Sequence, residues 1–393
     1  MQHACTVTAL LAGILLAATP SHADTNAQPA PLVRELEPLS VRGVNYYPQE
    51  TPWSEFWAFT PESVLERDMA LAADLRINAV RTFLTWDEKA EKYGLVDADG
   101  AVAPSYLDKV DRFLEIAWGR DIRAVLCFAF EYHERQPRIP AEEKWKRAMR
   151  AFAERFKDDG RVLMWDLMNE PERHAPPDAA DHSDFSGNEA VTAYLAESMR
   201  WIKTVDPNHL TTVGLGWRID LLAPLGLPDV LQYHNYAPKE QMYAQGTARV
   251  GTVVEDFRRH GGDRPLLIGE FGISTARDPE HGAGAAWAER LSHAPGTEAE
   301  QARLFEIVYE AVEEYRLAGA MAWILHTFPA RETGWLTPEE SMYGLYRLDL
   351  SPKPAADVTK RIFDRWATLE NAGASASETH RRDAGAPRPT RRP

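Results

Sequence analysis

Short apolar runs alternate with longer segments of helical period along most of the chain. The runs are Val41–Tyr46, Asn78–Phe83, Arg123–Phe130, Val162–Met168, Leu210–Val213, Val230–Tyr233, Leu266–Gly269 and Ala318–Leu325. They lack the alternation of a strand with one wet face, as parallel strands covered on both sides do. Helix candidates lie between them at Glu62–Leu75, Ser105–Trp118, Ala141–Lys157, Glu189–Val205, Val250–His260, Glu300–Leu317 and Pro354–Leu369. In Ser105–Trp118 the positions of Leu107, Val110, Phe113, Leu114 and Ala117 fall on one helix face. Thr60-Pro61 offers an N-cap with proline at the first helical position, and Thr297 with Glu300 has capping-box spacing. The stretch Asp220–Leu225 has room only for a short helix. Strands and helices in this alternation most simply close into an α/β fold, a (β/α)8 TIM barrel of one domain. A doubly wound open sheet is the competing arrangement.

The barrel region runs from 38 to 370, and the two ends differ from it in composition. Residues 1–23 contain no Asp, Glu, Lys or Arg, and Thr8–Ala18 is apolar but short for a bilayer span. Ser21-His22-Ala23 supplies small residues where a signal peptidase cuts. This predicts a cleaved signal peptide and a secreted or periplasmic protein with no membrane attachment after cleavage, although the start lacks the usual Lys or Arg. Residues 24–37, rich in Ala and Pro, read as a linker. Residues 371–393 carry few large apolar side chains and read as a disordered tail. Cys5 would leave with the leader, so Cys127 has no partner for an intrachain disulfide. Its apolar neighbours make it a buried small hydrophobe. The net charge of −15 argues against a nucleic-acid partner, which would want a basic face. It is compatible with a neutral polysaccharide.

Chemistry in such a barrel sits at the C-terminal ends of the strands. The fourth run ends Met168-Asn169-Glu170-Pro171, an amide and a carboxyl followed by a residue that breaks the ladder. The seventh ends Gly269-Glu270-Phe271-Gly272, a carboxyl between glycines expected to leave room for a ligand. Two carboxyls at facing strand ends repel, which drives their pKa values apart. One stays protonated and can give a proton to a leaving oxygen, while the other stays ionised and can attack a sugar carbon. Ends of the fourth and seventh strands face each other across the mouth, which predicts a separation of about 5 Å, the retaining geometry. No His/Asp/Glu group has metal-ligand spacing, and Gly214 and Gly216 lack the third glycine of a dinucleotide loop. No metal and no cofactor are expected.

These motifs resemble clan A glycoside hydrolases, and most closely glycoside hydrolase family 5, the cellulase and mannanase family. Arg42-Gly43-Val44-Asn45 is similar to that family's first strand; Arg81 ends the second, His234-Asn235-Tyr236 the sixth, and Trp323 lies in the eighth. The similarity covers Val41 to Trp323. It implies that Glu170 is the general acid/base and Glu270 the nucleophile. It further implies that Asn169 bonds the sugar 2-hydroxyl, Arg81 keeps Glu270 ionised and Tyr236 hydrogen-bonds the nucleophile. His234 would line the site near the acid and Trp323 would be the sugar platform, with Asn45 among the substrate-site residues. At the third strand end, Phe130-Glu131-Tyr132-His133, either Glu131 or His133 takes the place of the family's histidine.

Blander readings stand beside these. Glu170 and Glu270 could be structural carboxylates paired to Arg81 or Arg264, Arg81 an ordinary ion-pair residue, and His234 a satisfied core histidine. Asp166 and Glu172 read as helpers or surface groups, and Glu131 as a third carboxylate candidate. Core packing or sugar binding explains the rings of Tyr46, Tyr47, Trp53, Phe56 and Trp57 and of the later Trp335 and Tyr343. Trp53, Trp86, Trp217 and Trp335 are the subsite candidates, because loops after strands gather binding residues. The function expected is retaining hydrolysis of a β-linked polysaccharide or oligosaccharide by an endo-β-1,4-glycanase of mannanase or cellulase type. The alternatives are an exo-acting β-glycosidase or β-mannosidase, its cleft walled by the loops His174–Gly187 and Arg277–Thr297, and a non-catalytic sugar-binding barrel.

Overall fold

Eight parallel strands close on themselves in sequence order. They are β1 (Val41–Asn45), β2 (Ala79–Leu84), β3 (Arg123–Phe128), β4 (Val162–Asn169), β5 (Leu210–Leu215), β6 (Leu231–Asn235), β7 (Leu266–Phe271) and β8 (Gly319–Ala322). This computed structural model describes residues 30–86, 88–128, 141–176, 180, 184–276, 295–329 and 340–385, with backbone alone at 54, 88 and 371–385. Closure runs through β1 and β8, from Val41 opposite Gly319 to Val44 opposite Ala322. The expected barrel is therefore the observed one. The open-sheet alternative fails because the first and last strands pair and leave no edge.

Two apolar layers make the core. Val41, Ala79, Val125, Met164, Leu210, Leu267 and Met321 form a cluster that fills the barrel interior. Outward-facing residues such as Val44, Val80, Leu126, Trp165 and Ile268 pack under the helices with Phe113, Met149 and Phe305. Burial on both faces explains why the strand sequences lack alternation. Residues 33–36, read as linker, belong to the fold. Leu36 is buried in the interior cluster and Val33 packs against it, closing the barrel floor. The Arg34 guanidinium donates to Asn208 O at 2.9 Å.

The helices are α1 (Ser54–Phe59), α2 (Glu62–Asp74), α3 (Glu88–Lys92), α4 (Pro104–Trp118), α5 (Glu142–Phe156), α6 (Glu189–Val205), α7 (Ile219–Leu222), α8 (Lys239–Gln245), α9 (Thr247–Gly261), α10 (Glu298–Glu314) and α11 (Pro354–Gly385). The Thr297–Glu300 capping box is formed at the start of α10. The α2 N-cap is Pro61, one residue later than expected. Three short helices, α1, α3 and α8, had no periodic signature. β8 is shorter than its apolar run, and the Trp323–Ile324 peptide beyond it is cis. α11 continues past Leu369 to Gly385, where composition suggested no regular structure. A helix already held by packing extends without a new nucleation cost, and Ala372, Ala374 and Ala376 favour that extension. The leader at 1–23 lies outside the described residues. Among those described, no helix is long and apolar enough to cross a membrane.

Candidate active site

Arg81 organises the mouth. It projects from β2 yet reaches β1, β3, β4 and β7, so its side chain lies inside the barrel. Nε donates to Asp166 Oδ2 at 2.8 Å, and Nη1 donates to Glu270 Oε1 at 2.6 Å and Asn45 Oδ1 at 2.9 Å. Nη2 donates to Asn169 Oδ1 at 2.7 Å and lies 3.6 Å from Cys127 Sγ. Burial works against the charge, but the Asp166, Cys127 and Glu270 groups around it outweigh burial and hold the guanidinium firmly protonated. A planar five-donor fork suits this position, and the point charge of a lysine could not reproduce it.

Glu270 ends β7. Besides Arg81 it accepts a hydrogen bond from the Tyr236 hydroxyl, at 2.9 Å to Oε2. Burial first, then the Glu270 charge, raises the Tyr236 phenol far above its ordinary range, so the hydroxyl stays a donor.

Glu170 follows β4 in a left-handed backbone conformation, φ 43° and ψ 64°. A non-glycine residue there carries strain of roughly 1 kcal/mol or more, which the surroundings must hold. The holders are local. Glu170 N–H donates to Gly214 O at 2.7 Å, and Pro171 starts a 3-10 turn through His174. His234 Nδ1 lies 2.9 Å from Glu170 Oε1, and the Arg173 guanidinium contacts Oε2. Burial raises the Glu170 carboxyl, but Arg173 and His234 outweigh it and hold it at about 2.

A relay fixes the His234 ring. Gln232 Nε2 donates to Asp166 Oδ2 at 3.0 Å and lies 3.3 Å from His234 Nε2. Its second amide hydrogen is therefore aimed at His234 Nε2, which accepts, and Nδ1 carries the proton toward Glu170. One atom each of Glu170, His234 and Glu270 lie within 4.8 Å of one another, so the two carboxylates nearly meet across the mouth. A divalent cation could use that spacing, but Arg81 and Arg173 already bring positive charge to the same two carboxylates.

The family model of Cellulase (glycosyl hydrolase family 5) matches residues 38–300, more than half of the chain. The chain belongs to glycosyl hydrolase family 5. A probable mannan endo-1,4-β-mannosidase C of Aspergillus terreus is 34% identical over 91 residues, 21% of either chain. Mannan endo-1,4-β-mannosidase 1 of rice, Oryza sativa subsp. japonica, is 28% identical over 157 residues, 33% of this chain and 34% of its own. The family 5 chain thus spans about a fifth to a third of the length of these curated relatives. A family 5 subfamily 18 enzyme of Streptomyces cattleya, solved with Manβ1-4GlcNAc, has a TM-score of 0.63 at 17% identity, covering 82% of this chain and 80% of that one. An exo-β-1,4-mannosidase of Opitutaceae bacterium strain TAV5 has the same TM-score, 0.63, at 20% identity, covering 86% and 62%. At those identities the likeness is one of fold.

Several expectations for this family 5 chain need revision. Asn45 is fully buried; its amide donates to Gly269 O at 2.9 Å and accepts from Arg81, so it positions the arginine instead of facing the mouth. Asp166 and Glu172 are buried, not on the surface. The glycines beside Glu270 make room for protein, not ligand. A Cβ on Gly269 would lie 2.4 Å from Gln232 Cδ, and one on Gly272 would lie 2.4 Å from Trp323 O. Tyr46, Tyr47, Phe56 and Trp57 are core residues, with Tyr46 bonded to Asp68 and Trp57 to Phe83 O. Trp53 stacks on Tyr47, and Trp86 is buried. Trp323 is buried beside the mouth, edge-on to Phe83. Glu131, His133 and Trp335 lie outside the described residues. The sequence reading missed Gln232 and Arg173. Their inclusion follows from strand pairing and from a turn, neither of which leaves a periodic trace.

Proposed function

We propose that this chain hydrolyses β-1,4-linked mannosides with retention of configuration, Glu270 acting as nucleophile and Glu170 as general acid/base. The carrying observation is the approach of one oxygen from each carboxylate to within 4.8 Å. Retaining enzymes hold the pair about 5–5.5 Å apart, and inverting enzymes leave a wider gap for water. The names of the curated relatives support mannan as substrate and endo action as the mode. The composition of residues 1–23 supports export to the polysaccharide.

In the first step a Glu270 oxygen forms a bond to the anomeric carbon as the bond to the leaving oxygen breaks and Glu170 supplies its proton. In the second step water attacks the glycosyl ester, Glu170 takes the water's proton, and Glu270 leaves as carboxylate. Asn169, oriented by Arg81, hydrogen-bonds the 2-hydroxyl; Trp323 backs the sugar, and Tyr236 and Arg81 keep Glu270 aimed. Glu170 must be protonated to start the cycle, whereas Arg173 holds it ionised in the free site. The Arg173 side chain is 57% exposed, so it meets Glu170 from the solvent side, where a leaving sugar would enter. Once a leaving sugar displaces it, burial raises the carboxyl toward protonation.

The test is paired. Glu270→Ala should lose turnover of β-1,4-mannan and, given azide, yield α-mannosyl azide. Glu170→Ala should lose mannan cleavage while still releasing a good leaving group such as dinitrophenol. NMR of the first wild-type product should show the β-anomer; an α-anomer would refute retention. A ladder of oligomers from mannan marks endo action, and mannose alone marks the exo alternative. Binding of mannan without any turnover would return the chain to the sugar-binding reading.

A further inference from the structure

Lys353 is a fully buried lysine that the catalytic steps do not use. It stands just before α11, and its Nζ reaches between the segments that follow β7 and β8. Nζ donates to Thr275 Oγ1 at 3.0 Å and to Met342 O at 2.9 Å. The Thr275 N–H also donates to Met342 O, at 3.3 Å. Gln301 of α10, likewise fully buried, makes the next stitch. Its Nε2 donates to Ile273 O at 3.2 Å and to Tyr343 O at 2.8 Å. Two buried side chains thus bind residues 273–275 to residues 342–343. Desolvating an ammonium is costly, and a methionine of similar length would fill the space without that cost. What the ammonium adds is several donors on one atom, enough to bridge two segments.

Tyr343 is the residue these bonds hold. Its ring stands edge-on to the Tyr236 ring, with centroids 6.4 Å apart and planes at 87°. It also closes on the end of β7, where a Cβ on Gly272 would lie 3.1 Å from Tyr343 Cδ1. Tyr343 is therefore wedged between the strand that carries Glu270 and the ring whose hydroxyl donates to Glu270 Oε2 at 2.9 Å. A shift of Tyr343 would let Tyr236 tilt and draw its hydroxyl off the carboxylate.

We propose that Lys353 and Gln301 are positioning residues for the nucleophile, acting through Tyr343 to keep the Tyr236 hydroxyl on Glu270. The inference rests on the reading of Glu270 as nucleophile. Glu270 also faces the Arg81 guanidinium at 2.6 Å, the His234 ring with Nδ1 3.6 Å from Oε2, and Glu170 across the mouth. Those groups come from β2, β6 and the end of β4, so the stitched segments act on the contact from Tyr236. A carboxylate that loses a donor takes up a proton at higher pH.

The test is the pH dependence of covalent labelling by 2-deoxy-2-fluoro-β-mannosyl fluoride. In that step a Glu270 oxygen bonds to the anomeric carbon as fluoride leaves, so no proton from Glu170 is required. Lys353→Met and Gln301→Met keep side-chain length and remove the donors. Each should move the acid limb of the labelling rate up by roughly half to one pH unit, part of the shift that Tyr236→Phe produces. Neither should add to the shift of Tyr236→Phe in a double variant. A slower rate or a lower Tm with the limb unmoved is what a merely structural role gives, and it overturns the inference. Additive shifts overturn it as well. Should Lys353→Met not fold, Gln301→Met carries the test alone. Mass spectrometry of the labelled peptide separates the two readings. Wild type labelled on Glu270 with unmoved variants overturns the positioning role alone. Wild type not labelled on Glu270 overturns the nucleophile reading and this inference with it.

Discussion

Glu170 is where two demands on one carboxyl conflict. Burial favours the protonated form that an acid needs, while Arg173 and His234 favour the ionised form and prevail in the free site, at about 2. Removing Arg173 takes away the strongest influence on the ionised side. The sign follows: the Glu170 pKa rises, and the protonated form persists to higher pH. Arg173→Ala should therefore move the alkaline limb of kcat/KM upward by roughly one pH unit or more. Arg173→Lys, keeping the charge, should shift it less. A pH profile that does not move would mean that Arg173 is bystander to the acid. Glu170 itself was legible in the sequence because it ends an apolar run before proline. Arg173 was not, because its role depends on the turn that folds it back over the carboxylate.

The adjoining ends of β4, β5 and β6 act together, and Gly214 is their narrowest point. A Cβ there would stand 2.7 Å from His234 Nε2 and 2.9 Å from Gln232 Nε2, and both side chains are buried with little room to retreat. Gly214→Ala should push the His234 ring off Glu170. A misplacement of about 1 Å in such a site lowers rate on the order of a hundredfold. Steady-state kinetics should show a fall of that size in kcat with the far-UV circular dichroism spectrum unchanged. A kcat near wild type would mean that the relay through Gln232 and His234 tolerates displacement. The strands themselves were readable from their apolar runs. The register shifts that bring Asn169 opposite Gly214 and His234 opposite Glu270 were not, since they arise only when neighbouring strands pair.

Over the whole molecule, buried carboxylates tie stability to pH. Burial opposes ionisation of Asp68, Asp159 and Asp206, yet their partners hold all three below 3.8. His326 and Arg67 serve Asp68, Arg161 serves Asp159, and His209 with the Trp165 indole serves Asp206. A group whose folded pKa is depressed contributes its full stability above the unfolded pKa and loses it as pH falls through the folded value. Glu172 runs the other way: its folded pKa is raised, so its effect is least unfavourable at low pH. With Glu170, held at about 2, the three aspartates make four depressed groups against one, which predicts a Tm that is steady from pH 7 to about 5 and falls below about 4. Asp206→Asn should lower Tm at neutral pH and make the acid-side fall shallower, as read by thermal melts from pH 3 to 7. An equally steep fall would place the acid sensitivity elsewhere.

The sequence by itself determined the barrel, because burial on both faces writes apolar strands and one-sided helices into the local order of residues. It also marked Glu170 and Glu270, because a carboxyl ending a buried strand stands out along the chain. Tertiary structure alone decided which polar side chains meet. Arg81 of β2 joins Asn45, Asp166, Asn169 and Glu270 from three other strands, and Tyr46, Tyr47, Phe56 and Trp57 pack into the core while Trp217 stays in water. Those outcomes depend on closure of the sheet, which brings residues far apart in sequence within hydrogen-bond reach, and local pattern carries no record of that distance.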